Sequence, residues 1–174
     1  MPVPQDPVLR ALNEIVSTDM GMATVTEGLR RANQQLRATT ALMAWEVVPL
    51  DVFRAGLPES IRSCWIFVIR AGAATGAERH PNSHQRSFSL AGSGTFELRD
   101  GKEWRPHALS STEGGSIEQR CVSIPPSTWH RLFAGPEPWG MVSFHTVAPE
   151  ELIEERPVDP ADLNGETHQE RYTG

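Results

Sequence analysis

The stretch Gly76-Ala77-Glu78-Arg79-His80-Pro81-Asn82-Ser83-His84-Gln85-Arg86-Ser87-Phe88-Ser89-Leu90-Ala91-Gly92-Ser93-Gly94 sets several metal-ligand side chains immediately before a strand-like run and a tight glycine turn. A second stretch, Ile124-Pro125-Pro126-Ser127-Thr128-Trp129-His130-Arg131-Leu132-Phe133, uses a rigid Pro-Pro turn to deliver a histidine onto the next run. Between and around them lie residues 42–48, 64–69, 86–90, 94–98, 118–124, 130–133 and 140–147, rich in β-branched and aromatic side chains. Turns such as Asp100-Gly101 and Gly135-Pro136 separate them. Closely spaced short strands of this kind close into a sandwich or barrel, and the jelly roll is the compact member of that set. The expected fold class is all-β.

The first forty residues read differently. Residues 7–16 suggest a helix, and Thr24-Val25-Thr26-Glu27 has the form of a capping box that predicts the start of a second. Val25, Leu29, Ala32 and Leu36 then recur at helical spacing, as a packing stripe would. Residues 156–174 carry few apolar side chains and are expected to wrap the surface or fray. The expected organisation is a helical arm over residues 1–40, a barrel over 41–155 and a tail over 156–174, in one domain.

Composition narrows the function. The 174 residues carry 22 acidic and 16 basic side chains, a net charge of −6, and no stretch gathers Lys and Arg into a stripe fit for phosphates. Nucleic acid and anionic membrane are therefore poor partners. No apolar run approaches the roughly 18 residues of a membrane span, and the first ten residues lack the pattern of a signal peptide, so a cytoplasmic location is expected. Cys64 and Cys121 have no neighbour at ligand or redox spacing and read as buried thiols. The five tryptophans read as core or rim residues.

Imidazole combined with carboxylate or amide oxygen makes a reasonable ligand set for Fe, Mn, Ni or Zn. On these two stretches the chain resembles the cupin family, whose first motif has Gly, two His one residue apart, a Glu and a closing Gly, and whose second runs Pro-x-Gly-x-x-His. Pro125 and His130 match the second motif, with Ser127 at its glycine place. In the first, Gly92 closes the turn, Gln85 stands at the glutamate, His80 at the second histidine and Glu78 at the first. The resemblance covers roughly Trp65 to Val147 and implies a double-stranded β-helix, or jelly-roll, barrel.

It further implies a divalent transition metal, iron first, with zinc, manganese or nickel as alternatives. His80 and His130 would hold it with one or two of Glu78, His84 and Gln85. Strand alternation puts His80 and His84 on one face and Gln85 on the other, unless a bend at Pro81 resets the phase, so both stay in the set. Arg86 and His145 are the expected catalytic residues, orienting a small organic substrate. A dioxygenase is the leading expectation; an isomerase or a metal-free binding protein is the alternative. A homodimer is expected, because the helical arm and outer sheet offer apolar surface.

Overall fold

The structure is a computed structural model that describes residues 6–53, 56–112 and 114–171. Residues 1–5 of the expected arm and 172–174 of the expected tail lie outside the described residues. Helix α1 (Pro7–Val16) begins at Asp6, whose carboxylate accepts from the Val8 and Leu9 amides at 3.0 and 3.3 Å. Helix α2 (Asp19–Arg37) begins at Thr18, not at Thr24. The Thr18 hydroxyl accepts from the Gly21 amide at 3.0 Å, and Gly21 lies so close to the Ile15 carbonyl that a Cβ would meet it at 2.1 Å. The helix can thus start one residue after α1 closes. Thr24 and Glu27 sit inside it, and Glu27 pairs with Arg30 and Arg31 on the exposed side.

Among the described residues ten strands follow: β1 (Met43–Val48), β2 (Ser63–Ile69), β3 (Gln85–Ala91), β4 (Ser93–Asp100), β5 (Glu103–Ser110), β6 (Cys121–Ile124), β7 (His130–Ala134), β8 (Trp139–His145), β9 (Ile153–Pro157) and β10 (Thr167–Arg171). A five-stranded antiparallel sheet has the order β1-β2-β8-β3-β6, and a three-stranded sheet the order β5-β4-β7. β9 and β10 form a hairpin, so residues 156–171 do not run as a loose wrap, and the 155/156 boundary falls inside β9. Isolated bridges at Ala74–Phe133, Glu78–His130 and Arg79–Glu155 lay residues 74–79 between β7 and β9. The result is the expected all-β jelly-roll barrel.

Alternation along the five-stranded sheet separates two cores. On its outer face Cys64, Ile66, Val68, Phe88, Val142 and Phe144 pack against Leu12, Val25, Ala32 and Leu36 of the helices. Between the sheets lie Ile69, Phe96, Leu109, Val122, Ile124, Leu132, Trp139 and Met141. The helical arm therefore covers its own barrel. Residues 118–124 divide into a helical turn, α3 (Ile117–Arg120), and β6. β5 was not expected; its Pro106 is tolerated because β5 is an edge strand. Among the described residues no helix is long and apolar enough to cross a membrane.

Candidate metal centre

Glu78 and His130 face each other across a two-way backbone bridge, with N to O distances of 2.9 and 2.8 Å. Their side chains consequently emerge side by side, and His80, two residues on, shares the face of Glu78. The Ser127 amide donates to the His80 carbonyl at 3.0 Å and ties the two motif loops together. Ser127 has φ of 63°, the one non-glycine residue with positive φ among the described residues. That is the position at which the family motif has glycine, and an L-residue is strained there. Ser127→Gly is expected to raise stability by about 1 kcal/mol, or roughly 2–4 °C in a thermal melt.

Glu78, His80 and His130 are all buried, and one ligand atom from each lies within 4.8 Å of the others. His80 Nδ1 meets the Ile153 carbonyl at 3.0 Å and His130 Nδ1 the Thr128 carbonyl at 3.1 Å. A carbonyl can only accept, so each Nδ1 carries the proton and Nε2 is the nitrogen able to coordinate. His130 Nε2 is buried without a hydrogen-bond partner, 3.4 Å from Glu78 Oε1. Glu78 Oε2 accepts from Arg156. Gln85 donates from Nε2 to Ser87 Oγ at 3.0 Å, and its Oε1 is buried without a partner. Two orphaned atoms, an imidazole nitrogen and an amide oxygen, are thus left in the buried interior, and the donor set suits a divalent transition metal.

The charge states suit it as well. Burial first, then the neighbouring His130, pushes His80 down to about 4, only partly offset by Glu78. Burial, reinforced by His80 and His130, holds His145 well below its usual range. For Glu78 burial pushes upward, but His130, His80 and Arg156 together hold the carboxyl below its ordinary value. At neutral pH His80 and His145 are neutral and Glu78 is ionised, which is the state in which such groups bind metal.

Of the residues singled out in the sequence, the structure brings together Glu78, His80, Gln85, His130 and His145. His145 sits edge-on to His80, ring centroids 5.1 Å apart, with Nδ1 3.1 Å from Ser83 Oγ. His84 and Arg86 are corrections. The turn at Pro81-Asn82 resets the alternation, so Gln85 rather than His84 points inward, and Arg86 must then point outward. Arg86 donates to Asp6 at 2.7 Å, Ser123 donates to the same oxygen at 2.9 Å, and His84 Nε2 meets Ser123 Oγ at 2.8 Å. His84 is not in the metal set and Arg86 does not reach the site. Sequence reasoning missed Arg156, which lies 78 residues from Glu78 with no local pattern to mark it.

No family model and no curated protein matches the sequence. Among solved structures, the capsular polysaccharide assembling protein CapF of Staphylococcus aureus aligns at 14% identity and TM-score 0.44, over 52% of this chain and 24% of that one. An oxalate oxidase bound to glycolate aligns at 13% identity and TM-score 0.49, over 63% and 53%. The Lactobacillus farciminis oxalate decarboxylase aligns at 17% and 0.47, over 61% and 29%. The match therefore spans between about a quarter and a half of these longer chains. Two antiparallel sheets enclose Glu78, His80 and His130, with both motif loops at the site and Ser127 left-handed at the motif glycine, so the chain has the jelly-roll barrel and the residue placement that its resemblance to the cupin family implies.

Proposed function

We propose that the chain is a metal-dependent enzyme in which Glu78, His80 and His130 hold a divalent transition metal, iron first, for dioxygenation of a small organic substrate. The observation that carries this reading is the donor set. Two imidazoles and one carboxylate, buried and within 4.8 Å of one another, form the combination that leaves coordination positions open in non-haem iron oxygenases. When bound, the ion would supply Lewis-acid polarisation and electron-transfer chemistry at those open positions.

The chain's own residues do the rest. Carbonyls of Ile153 and Thr128 hold the two ligand imidazoles in one tautomer, and Arg156 holds one Glu78 oxygen so that the other faces the histidines. His145, fixed by Ser83, presents a neutral imidazole beside His80 that can accept a substrate proton. Gln85 Oε1 offers an acceptor to a substrate hydroxyl, steadied through Ser87 and Ser143, whose hydroxyls lie 2.6 Å apart. Phe67, Ile69, Phe96 and Leu132 exclude water. The cavity they share with Met43, Met141, Glu78 and Gln85 measures about 20 Å³. That is room for an ion or a water, so an organic substrate enters when the flexible Met43 or Met141 side chain turns aside.

A metal-free binding protein is the second reading, favoured by one observation: the Arg156 guanidinium already gives Glu78 a cationic partner. Oxygen uptake separates the possibilities. Protein loaded with Fe(II) is expected to consume oxygen with a member of a panel of small hydroxy acids, keto acids and diols, and Zn(II)-loaded protein is not. Turnover with both metals and no oxygen uptake would favour the isomerase, with His145 moving the proton. A cytoplasmic setting, in which the buried thiols of Cys64 and Cys121 stay reduced, goes with this reading. So does a homodimer: β1 is an edge strand with Leu42, Trp45 and Val47 exposed along it.

A further inference from the structure

A second cavity, of about 410 Å³, lies on the other side of the three-stranded sheet from the metal centre. Its size is that of a small-molecule site. In β4 and β7 the side chains of Phe96, His130 and Leu132 are buried, so alternation sends Arg99, Arg131 and Phe133 to the outer face. Trp104 of β5 stands opposite Arg99, and the Pro160–Asn164 part of the connection between β9 and β10 forms the facing wall. Residues 75–77 close one end.

The lining is cationic in a chain whose net charge is −6. Arg99, Lys102 and Arg131 face the cleft, against Asp162, whose carboxylate accepts from the Asn164 amide at 3.1 Å within its own loop. Arg131 is paired with Glu97 at 2.6 Å. Among the described residues Arg99 and Lys102 form no ion pair. Among the residues that line the cleft, three cations stand against the single acid Asp162.

The guanidinium groups are also held in place. Arg131 lies 4.3 Å and Arg99 5.3 Å from the centre of the Trp104 ring. A cation stacked on an indole keeps its in-plane N–H donors directed outward and loses less freedom when it binds. Trp104 thus serves as a positioning residue for two planar donor groups, and Lys102, on the β4–β5 turn, adds a third positive charge at the rim.

We propose that this cleft is a second ligand site, separate from the metal centre, for a small molecule bearing a phosphate or carboxylate group. Arg99 and Lys102 bind the oxyanion, Trp104 orients Arg99 and Arg131, and the Pro160–Asn164 segment covers the ligand. Guanidinium on phosphate or carboxylate is the strong, charge-assisted form of hydrogen bonding.

Titration of the full chain with inorganic phosphate and, separately, with succinate tests this, read by the indole N–H signal of Trp104 in a proton–nitrogen NMR spectrum. Trp104→Phe identifies that signal. Saturable shifts are expected with at least one probe, and the probe that binds tells phosphate from carboxylate as the natural group. Affinity is expected to fall about tenfold or more in R99Q/K102Q, to weaken with added salt, and to persist in His130→Ala, which separates this site from the metal centre. Lys102→Glu, at an exposed turn, is expected to act in the same direction and serves if the double variant fails to fold. No saturable shift with either probe, or equal affinity in R99Q/K102Q or Lys102→Glu, would overturn the proposal.

Discussion

Asp6→Ala is expected to lower stability by about 3 kcal/mol or more, seen as a drop of roughly 6–12 °C in melting temperature. The carboxylate does two things at once. It caps α1, and it is the partner of Arg86, whose side chain is 7% exposed and whose Nη1 is buried without a hydrogen bond. Removal of the carboxylate leaves a buried guanidinium uncompensated, which costs more than the pair itself contributes. Replacing both partners, as in D6N/R86M, keeps most of the cap and removes the stranded charge, so the double variant is expected to be more stable than Asp6→Ala. Neither change should alter metal content, because Arg86 faces the helices and not the barrel interior. A loss of bound metal in D6N/R86M with the melting temperature preserved would return Arg86 to the site.

The same pair sets a pH dependence. Burial pushes the Asp6 carboxyl upward, but the hydrogen bonds from Arg86 and Ser123, the Arg86 charge and the Leu9 amide hold it below its ordinary value. A carboxyl depressed in the folded state stabilises fully above its unfolded pKa and loses that contribution as pH falls through the folded value. The gap between wild type and Asp6→Ala is therefore expected to be constant near neutrality and to narrow below about pH 4. Melting curves at several acid pH values would show it.

The second large effect is on metal affinity. His130→Ala removes a donor whose Nε2 is buried with no hydrogen-bond partner, and Glu78→Gln removes the anionic donor; each is expected to weaken binding by at least about 100-fold. His84→Ala should leave affinity unchanged, since His84 faces Ser123 and Arg86 on the outer side. His145→Ala should retain the metal and lose turnover. Competition with a chromophoric chelator reads all four variants on one scale, and a His84→Ala loss as large as that of His130→Ala would contradict the assignment of faces.

Much of the barrel could be read from local chemistry. Residues 64–69 are all apolar because both faces of β2 are covered, one under the helices and one between the sheets. β5 was hidden by Pro106 and by an exposed polar face. The hairpin of β9 and β10 was hidden for another reason: Glu154 and Glu155 are buried by pairing with Arg156 and Arg79, and such pairing leaves no apolar pattern. The site was legible in its residue types and not in its phase. Whether His84 or Gln85 points inward depends on the turn at Pro81-Asn82, and a single step of register exchanges the faces. Arg156 could not be found from spacing at all, because long-range pairing, the bridge of Arg79 to Glu155 and the contact of His80 with the Ile153 carbonyl, brings β9 beside Glu78.

Metal content is the measurement that bears most directly on the centre formed by Glu78, His80 and His130. Wild type, Glu78→Gln and His130→Ala would be purified without chelator, reconstituted anaerobically with Fe(II), desalted and assayed by elemental analysis. About one ion per chain in wild type, lost in both variants while each retains a cooperative melt, is the expected result. Wild type that keeps no metal, or folded variants that keep as much as wild type, would contradict the metal centre and leave Arg156 as the standing partner of Glu78 in a metal-free binding pocket.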